Sequence, residues 1–281
     1  KNTLLTSITQ LNNKKIEKFS FKNKVEIDKA INEVKSKKFQ INDISSKVVN
    51  RNPSGPFTTS TLQQVSSGRL GFGASRTMQI AQKLYQGIEI DGETIGLITY
   101  MRTDGTNLST DAIDTFRKYI KSEFGEKYVP ESPASYSGKK AKNAQEAHEA
   151  IRPTDIMRAP NSVKKYLSLD QHKLYDLIWS RALSSQMKPA EFDRNTITIT
   201  SEDNGTICKT SGSVIKFDGF LKVMKDNKKD EDENILPEVK KGQVNIEALM
   251  EEQHFTQPPP RYSEASLVKK LEELGIGRPS T

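Results

Sequence analysis

Cysteine is almost absent: Cys208 is the only one in 281 residues. One thiol can close neither an internal disulfide nor a cysteine-rich zinc site, so a reducing compartment is the expected setting. Histidine is limited to His148, His172 and His254, far apart in sequence, which gives no histidine cluster at metal-ligand spacing. No apolar run approaches the roughly 20 residues needed to span a bilayer. The chain opens at Lys1 with neither an initiator Met nor a secretory signal. A soluble, cytoplasmic protein is expected, cut from a longer chain. No Walker-type P-loop occurs, so nothing points to nucleotide hydrolysis.

What is present is charge. Lys and Arg number 43 against 36 Asp and Glu, a net charge of +7. A mild basic excess suits a nucleic-acid partner but does not single one out. At 34% hydrophobic and 28% charged residues, the chain can bury a core under a wet surface. Its length allows two ordinary domains or one composite domain.

Along the chain the texture runs β, helical, β. Leu4 to Leu11 alternates like a strand, and Glu26–Val34 places Ile27, Ala30, Ile31 and Val34 at helical spacing. Phe39, Ile41 and Lys47-Val48-Val49 read as extended chain, closed by the breaker cluster Asn52-Pro53-Ser54-Gly55-Pro56. Helices are expected from a capping box at Ser60 and Gln63, over Ser75–Tyr85, from a cap at Ser109 to Gly125, and over Asp170–Met187. Ile95–Tyr100 reads as a short apolar strand between the second and third of them. After Pro189, Thr196–Thr200 alternates, Asn204-Gly205 marks a hairpin, and strands follow at Ile207–Lys209, Val214–Phe217 and Val244–Ala248. Lys225–Glu233 is a charged, solvated loop. A last helix starts at a Ser263 cap after Pro258-Pro259-Pro260. The fold class expected is mixed α+β, with a helical domain inserted into a β-rich one built from both flanks.

Three segments could carry chemistry. In Gly96–Asp104 an apolar run delivers Tyr100 to a turn, with Arg102 two residues on. A phenol with a pKa near 10 is a weak nucleophile unless a base or a cation helps it. A guanidinium supplies such a cation and can also grip a phosphodiester. Read from spacing alone, Tyr100 is better explained as an amphipathic packing residue. In Gln145–Thr154 the crowding of Glu146, His148, Glu149 and Arg152 could hold a phosphate and move protons, or be merely a solvated segment. It is no zinc-protease helix, since the position four after His148 is Arg152. Gly275–Thr281 could meet a phosphate through Arg278 and its hydroxyls, or be a helix C-cap. Asp230-Glu231-Asp232 sits in the solvated loop, and Cys208 reads as a small buried hydrophobe.

Taken in order, Pro56–Gln64, Arg69–Gly73, Ile98–Asp104, Ala147–Pro153 and Pro259–Val268 through to Thr281 resemble the type IA DNA topoisomerases of bacteria. Five ordered motifs are far more specific than any one. The resemblance covers residues 56–281 and is loose over residues 1–55. It implies a toroidal enzyme in which residues 1–56 and 189–257 form a discontinuous β-rich arch. Residues 57–188 would be a helical domain carrying the nucleophile, and residues 258–281 the start of a helical DNA-binding domain. It implies that Tyr100 attacks a DNA phosphodiester to give a 5′-phosphotyrosyl link, that Arg102 binds the scissile phosphate, and that His148 handles protons. Thr99, Thr103, Asp104, Glu149, Arg152, Arg278 and Thr281 would support the site or touch DNA. No ATP is required, because the covalent link conserves the bond energy.

The resemblance also implies that Mg2+ binds the full-length enzyme through an acidic N-terminal Toprim domain missing from this stretch. No metal ligand is expected within it, and the fragment alone should be inactive. Single-stranded DNA and that missing domain are the implied partners, with no membrane and a monomeric state. Gly105 stands where the family usually has Ser, which removes any role for that hydroxyl. Met101 and the Ala147–Arg152 spelling look like the topoisomerase I branch. The alternative is a non-catalytic single-stranded DNA-binding module of the same fold. A recombinase or relaxase fits worse, because the three histidines are scattered.

Overall fold

The structure is a computed structural model, and it describes residues 3–136, 149–224 and 236–276. His148, Arg278, Thr281 and the Asp230–Asp232 run lie outside the described residues. The chain forms two compact units. One takes in the described residues of Lys1–Asn50, Glu191–Phe217 and Lys228–Pro258; the other, those of Arg51–Ala190, Asp218–Asn227 and Pro259–Thr281. Among the described residues no helix is long and apolar enough to cross a membrane.

The first unit is an antiparallel sheet with one helix. Its strands are β1 (Ser7–Leu11), β2 (Lys14–Lys15), β3 (Phe39–Arg51), β6 (Ala190–Ser201), β7 (Ile207–Phe217) and β8 (Gly242–Val244), in the order β2-β1-β7-β6-β3-β8. The helix is α1 (Lys24–Lys35), capped by Asn23, whose side chain accepts from the Glu26 N–H. Val34, Phe39, Ile41, Ile197, Ile199 and Cys208 make the core. The period-2 pattern of these strands puts one face inward. Cys208 is buried as expected of a small hydrophobe.

The β6–β7 turn is fixed by polar groups. Asn204 takes a left-handed φ of 56°, a conformation Asn tolerates. Bonds from the Ser201 hydroxyl, the Gly205 N–H and Lys37 hold the Asp203 carboxyl down at about 2.

The second unit is helical. Its elements are α2 (Thr59–Leu70), α3 (Ala74–Gln86), the hairpin β4 (Ile88–Ile90) and β5 (Glu93–Ile95), α4 (Thr110–Phe124), the single turn α5 (Pro160–Val163), α6 (Leu169–Ser184) and α7 (Glu264–Glu273). Gly71, at φ 68°, ends α2 in the left-handed cap that glycine adopts without a Cβ penalty. Phe57, Leu62, Leu84, Leu97, Met101 and Ile151 are among its fully buried side chains.

Several expected boundaries move. The cap of α2 is Thr58, not Ser60: Thr58 is extended and forms a reciprocal capping box with Thr61. Ser60 is buried inside the first turn and donates to the Glu272 carboxylate of α7 at 2.5 Å. Helix α6 starts from a Ser168–Gln171 capping box and stops at Ser184, short of Met187. Ile207–Lys209 and Val214–Phe217 belong to one strand, β7. The strand expected at Val244–Ala248 ends at Val244.

The run expected as a strand over Ile95–Tyr100 is broken. β5 ends at Ile95, and only Ile98 pairs again, as an isolated antiparallel bridge to Pro153. The flanking bonds, Thr99 N–H to the Arg152 carbonyl at 2.9 Å and Thr154 N–H to the Leu97 carbonyl at 3.0 Å, leave Pro153 opposite a residue that asks no N–H of it. Gly96 makes the bend possible, since a Cβ there would lie 2.7 Å from the Tyr85 carbonyl oxygen.

Candidate active site

The site is built on three short segments of the helical unit: the residues leading into α2, Gly96–Asn107, and Glu149–Thr154. The last of these lies at the centre. Ile151 bridges Phe57, with its N–H donating to the Phe57 carbonyl at 2.8 Å, and Pro153 bridges Ile98. The Ala150 N–H donates to the Asn107 carbonyl at 2.8 Å. A middle strand paired on both sides holds its neighbours in fixed register, which is what a reactive side chain on one of them needs.

Thr99 ties that strand to the segment ahead of Tyr100. Its hydroxyl donates to the Ala150 carbonyl at 2.8 Å and accepts from the Arg152 N–H at 3.0 Å. With its backbone N–H on the Arg152 carbonyl, Thr99 completes three bonds across this pair.

Beyond Thr99 the exposure alternates. Tyr100, Arg102 and Asp104 are exposed, while Met101 and Thr103 are buried at 1% and 6%. The buried pair anchors the segment, and the other three side chains reach solvent. Tyr100 is 44% exposed and lies outside the hydrophobic core. Its ring meets the edge of Tyr85, at the end of α3, with centroids 5.3 Å apart and planes at 65°. Edge-to-face pairs of this kind contribute about 0.5–1.5 kcal/mol and restrict how far a ring can swing.

Arg152 and Glu149 behave differently. The Arg152 guanidinium donates from Nε and Nη2 to the two Glu149 carboxylate oxygens at 2.7 and 2.9 Å, and from Nη1 to the Pro153 carbonyl at 2.8 Å. Glu149 also accepts the Ser109 N–H at 2.7 Å, and Ser109 is the N-cap of α4. Burial acts to raise the Glu149 pKa, but the bonds from Arg152 and Ser109 outweigh it and hold the carboxyl below its ordinary 4.5. This two-pronged pair links the central strand to the start of α4.

The structure thus gathers Thr99, Tyr100, Arg102, Thr103, Asp104, Glu149 and Arg152 around one strand pair. It sets Tyr100 and Arg102 on the exposed side and turns Arg152 inward. Among the described residues no three His, Cys, Asp or Glu side chains converge as a metal site would require. Sequence reasoning missed two residues. Thr59 is fully buried, and its hydroxyl bonds the backbone on either side of Arg102. Tyr85 supplies the ring beside Tyr100. The only sequence signal for Thr59 was its place among the hydroxyls of Pro56–Gln64, and Tyr85 looked like an ordinary helix-end residue.

Comparison with known proteins gives concordant matches. A family model described as DNA topoisomerase matches residues 2–281. DNA topoisomerase 1 of Rickettsia bellii is 50% identical over the whole chain, which covers 36% of that protein. DNA topoisomerase 1 of Xylella fastidiosa is 49% identical over 89% of the chain, covering 32% of its own length. The solved structure of full-length topoisomerase I from Thermotoga maritima aligns with a TM-score of 0.78 at 37% identity, over 98% of this chain and 43% of that one. The chain therefore spans about a third of the length of the curated relatives it matches.

Proposed function

The chain belongs to the DNA topoisomerase family, and on that premise we propose that it is the DNA-cleaving part of a type IA topoisomerase that relaxes negatively supercoiled DNA without ATP. The observation that carries the proposal is the exposed pair Tyr100 and Arg102 on a segment anchored by buried neighbours. The Tyr100 Oη attacks a phosphorus of single-stranded DNA. A P–O(tyrosyl) bond forms at the 5′ side of the break, the P–O3′ bond opens, and the phenol proton leaves as the 3′ oxygen takes one up. After a second strand passes, the 3′-OH attacks the same phosphorus and releases Tyr100. Arg102 faces the charge that builds on the phosphoryl oxygens during both steps.

The two units divide the work in this reading. The helical unit presents Tyr100, the β-rich unit serves as the arch and hinge of a toroid, and the stretch from Pro258 begins a DNA-binding domain. His148, Arg278 and Thr281 are proposed to support proton handling and backbone contact. Glu149 and Arg152 hold the central strand, and Asp104 flanks the site. Among the described residues no acidic cluster fits magnesium; by family resemblance its ligands are assigned to a Toprim domain outside this chain, and no step here runs through it. The enzyme works as a cytoplasmic monomer on single-stranded DNA.

The test is to trap labelled single-stranded DNA on the full-length gene product and map the adduct. A 5′-phosphate on Tyr100 is the expected result. DNA bound with no covalent adduct on any residue would instead make the chain a binding module only, and a 3′ link would place it in another class of strand transferase.

A further inference from the structure

The first helical residue of α2 does something a helix start does not ordinarily do. The leading N–H groups of a helix have no partner within it. That of Thr59 donates to the Thr103 carbonyl at 2.9 Å. The Thr59 hydroxyl accepts the Thr103 N–H at 2.8 Å and donates to the Met101 carbonyl at 2.8 Å, with the Thr103 carbonyl at 3.1 Å. Both groups of Thr103's backbone and the carbonyl of Met101 are thus held by one fully buried residue. Arg102 is the residue between them, and Tyr100 immediately precedes Met101.

We propose that Thr59 is a positioning residue for strand cleavage: its hydroxyl clamps the backbone on both sides of Arg102 and so sets the guanidinium, and the tyrosine before it, against the phosphate. This rests on the function proposed above. Thr59 touches neither DNA nor a reacting atom, so it acts through the segment it holds. Thr99 fixes the same segment ahead of Tyr100 by its bonds to Ala150 and Arg152. The nucleophile therefore sits between two threonine clamps, Thr99 bonded to the central strand and Thr59 reaching from α2. The hydroxyl is required on chemical grounds. Valine has the shape of threonine but cannot accept the Thr103 N–H or donate to Met101, and displacements of about 1 Å at a reacting centre can lower rates by about 10²-fold.

The experiment compares single-turnover cleavage and DNA affinity in the full-length gene product for wild type, T59V, T59S and T58A. T58A is the control for destabilisation alone, because Thr58 caps the same helix through Thr61 without bonding the Tyr100 segment. T59V is expected to cleave at least about 10-fold more slowly, and up to about 10²-fold, with DNA affinity unchanged. T59S is expected to keep most of the rate. T58A is expected to melt at a lower temperature yet cleave normally where it is folded.

T59V cleaving as fast as T58A overturns the proposal, and so does a loss confined to DNA affinity. Should T59V fail to fold, an ester in place of the residue 103 amide removes the same bond from the other side. It must produce the same selective loss, and normal cleavage by that variant overturns the proposal equally. A wild-type protein that forms no adduct on Tyr100 overturns the proposed function itself, whatever Thr59 does.

Discussion

Two charged segments lie side by side in the helical unit, and they use the same kinds of side chain to opposite ends. In Tyr100–Asp104 the polar side chains point to solvent while the buried Met101 and Thr103 hold the backbone. In Glu149–Arg152 the guanidinium is directed inward, to Glu149 and the Pro153 carbonyl. Composition does not separate them, since each offers an arginine beside an acid. The difference lies in what the backbone allows. The exposure alternation beyond Thr99 lifts Arg102 outward, whereas pairing on both sides of the central strand keeps Arg152 against its own carboxylate. An arginine beside a candidate nucleophile can meet a substrate phosphate only from an exposed position, and of the two Arg102 is the exposed one.

The sharpest way to break this contrast is at Tyr100. Y100F keeps the ring and its contact with Tyr85 but has no nucleophilic oxygen. It is expected to lower relaxation by at least about 10³-fold and to give no covalent DNA, with an unchanged melting curve. A supercoil relaxation assay decides it, and normal relaxation by Y100F would remove the tyrosine from the chemistry. The next test sets the two arginines against each other. R102A is expected to lose about 10²–10³-fold in cleavage rate, as for removal of a group facing transition-state charge, with little change in stability. R152A is expected to lose stability, by about 2–3 kcal/mol for breaking a half-buried, doubly hydrogen-bonded pair. Its cleavage rate should fall only as far as the segment loosens. Chemical denaturation and single-turnover cleavage on both variants measure this. Should R152A prove the catalytic loss and R102A the stability loss, the assignment of the two segments is reversed.

Much of this was legible in the sequence, and the particular misses say why the rest was not. The helices at Ser109–Gly125 and from Ser263 were readable because cap, apolar stripe and stop signal agree. The hairpin at Asn204 was readable because Asn is one of the few residues that takes a positive φ cheaply. The start of α2 was misplaced by two residues, since Thr58, Thr59, Ser60 and Thr61 all bear a hydroxyl suited to capping. Only tertiary contacts decide among them: Thr59 faces Thr103, Ser60 faces Glu272, and Thr58 is left to cap. The expected strand through Tyr100 failed for a related reason. Its apolar run is real, but the chain bends at Gly96 against the Tyr85 carbonyl, and only Ile98 pairs again, in a single bridge to Pro153. Tyr100 and Arg102 could be nominated from residue type. The inward role of Arg152 could not, because Glu149 three residues earlier reads equally well as a second active-site acid. Contacts between segments far apart in sequence decided the first two of these cases, and the direction the backbone gives a side chain decided the third.

The smallest expected effect bears on that same pair and can be read from pH alone. Glu149 has a folded pKa below its ordinary 4.5, held down by Arg152 and the Ser109 N–H against the opposing effect of burial. A depressed carboxylate pKa means the folded state favours the charged form more than the unfolded chain does. Its contribution to stability is therefore complete above about pH 4.5 and is lost as pH falls through the lower folded value. E149Q cannot titrate. It should be less stable than wild type at pH 7, where it leaves Arg152 facing a neutral amide. The gap between the two proteins should then narrow as pH is lowered from 5 to 3, where wild type loses the same interaction. Other carboxylates titrate in that window in both proteins, so the readout is the difference between their melting temperatures at each pH. A gap constant from pH 7 to 3 would mean that Glu149 is not held by Arg152 in solution. The inward role of Arg152 would then fall, and with it the contrast between the two segments.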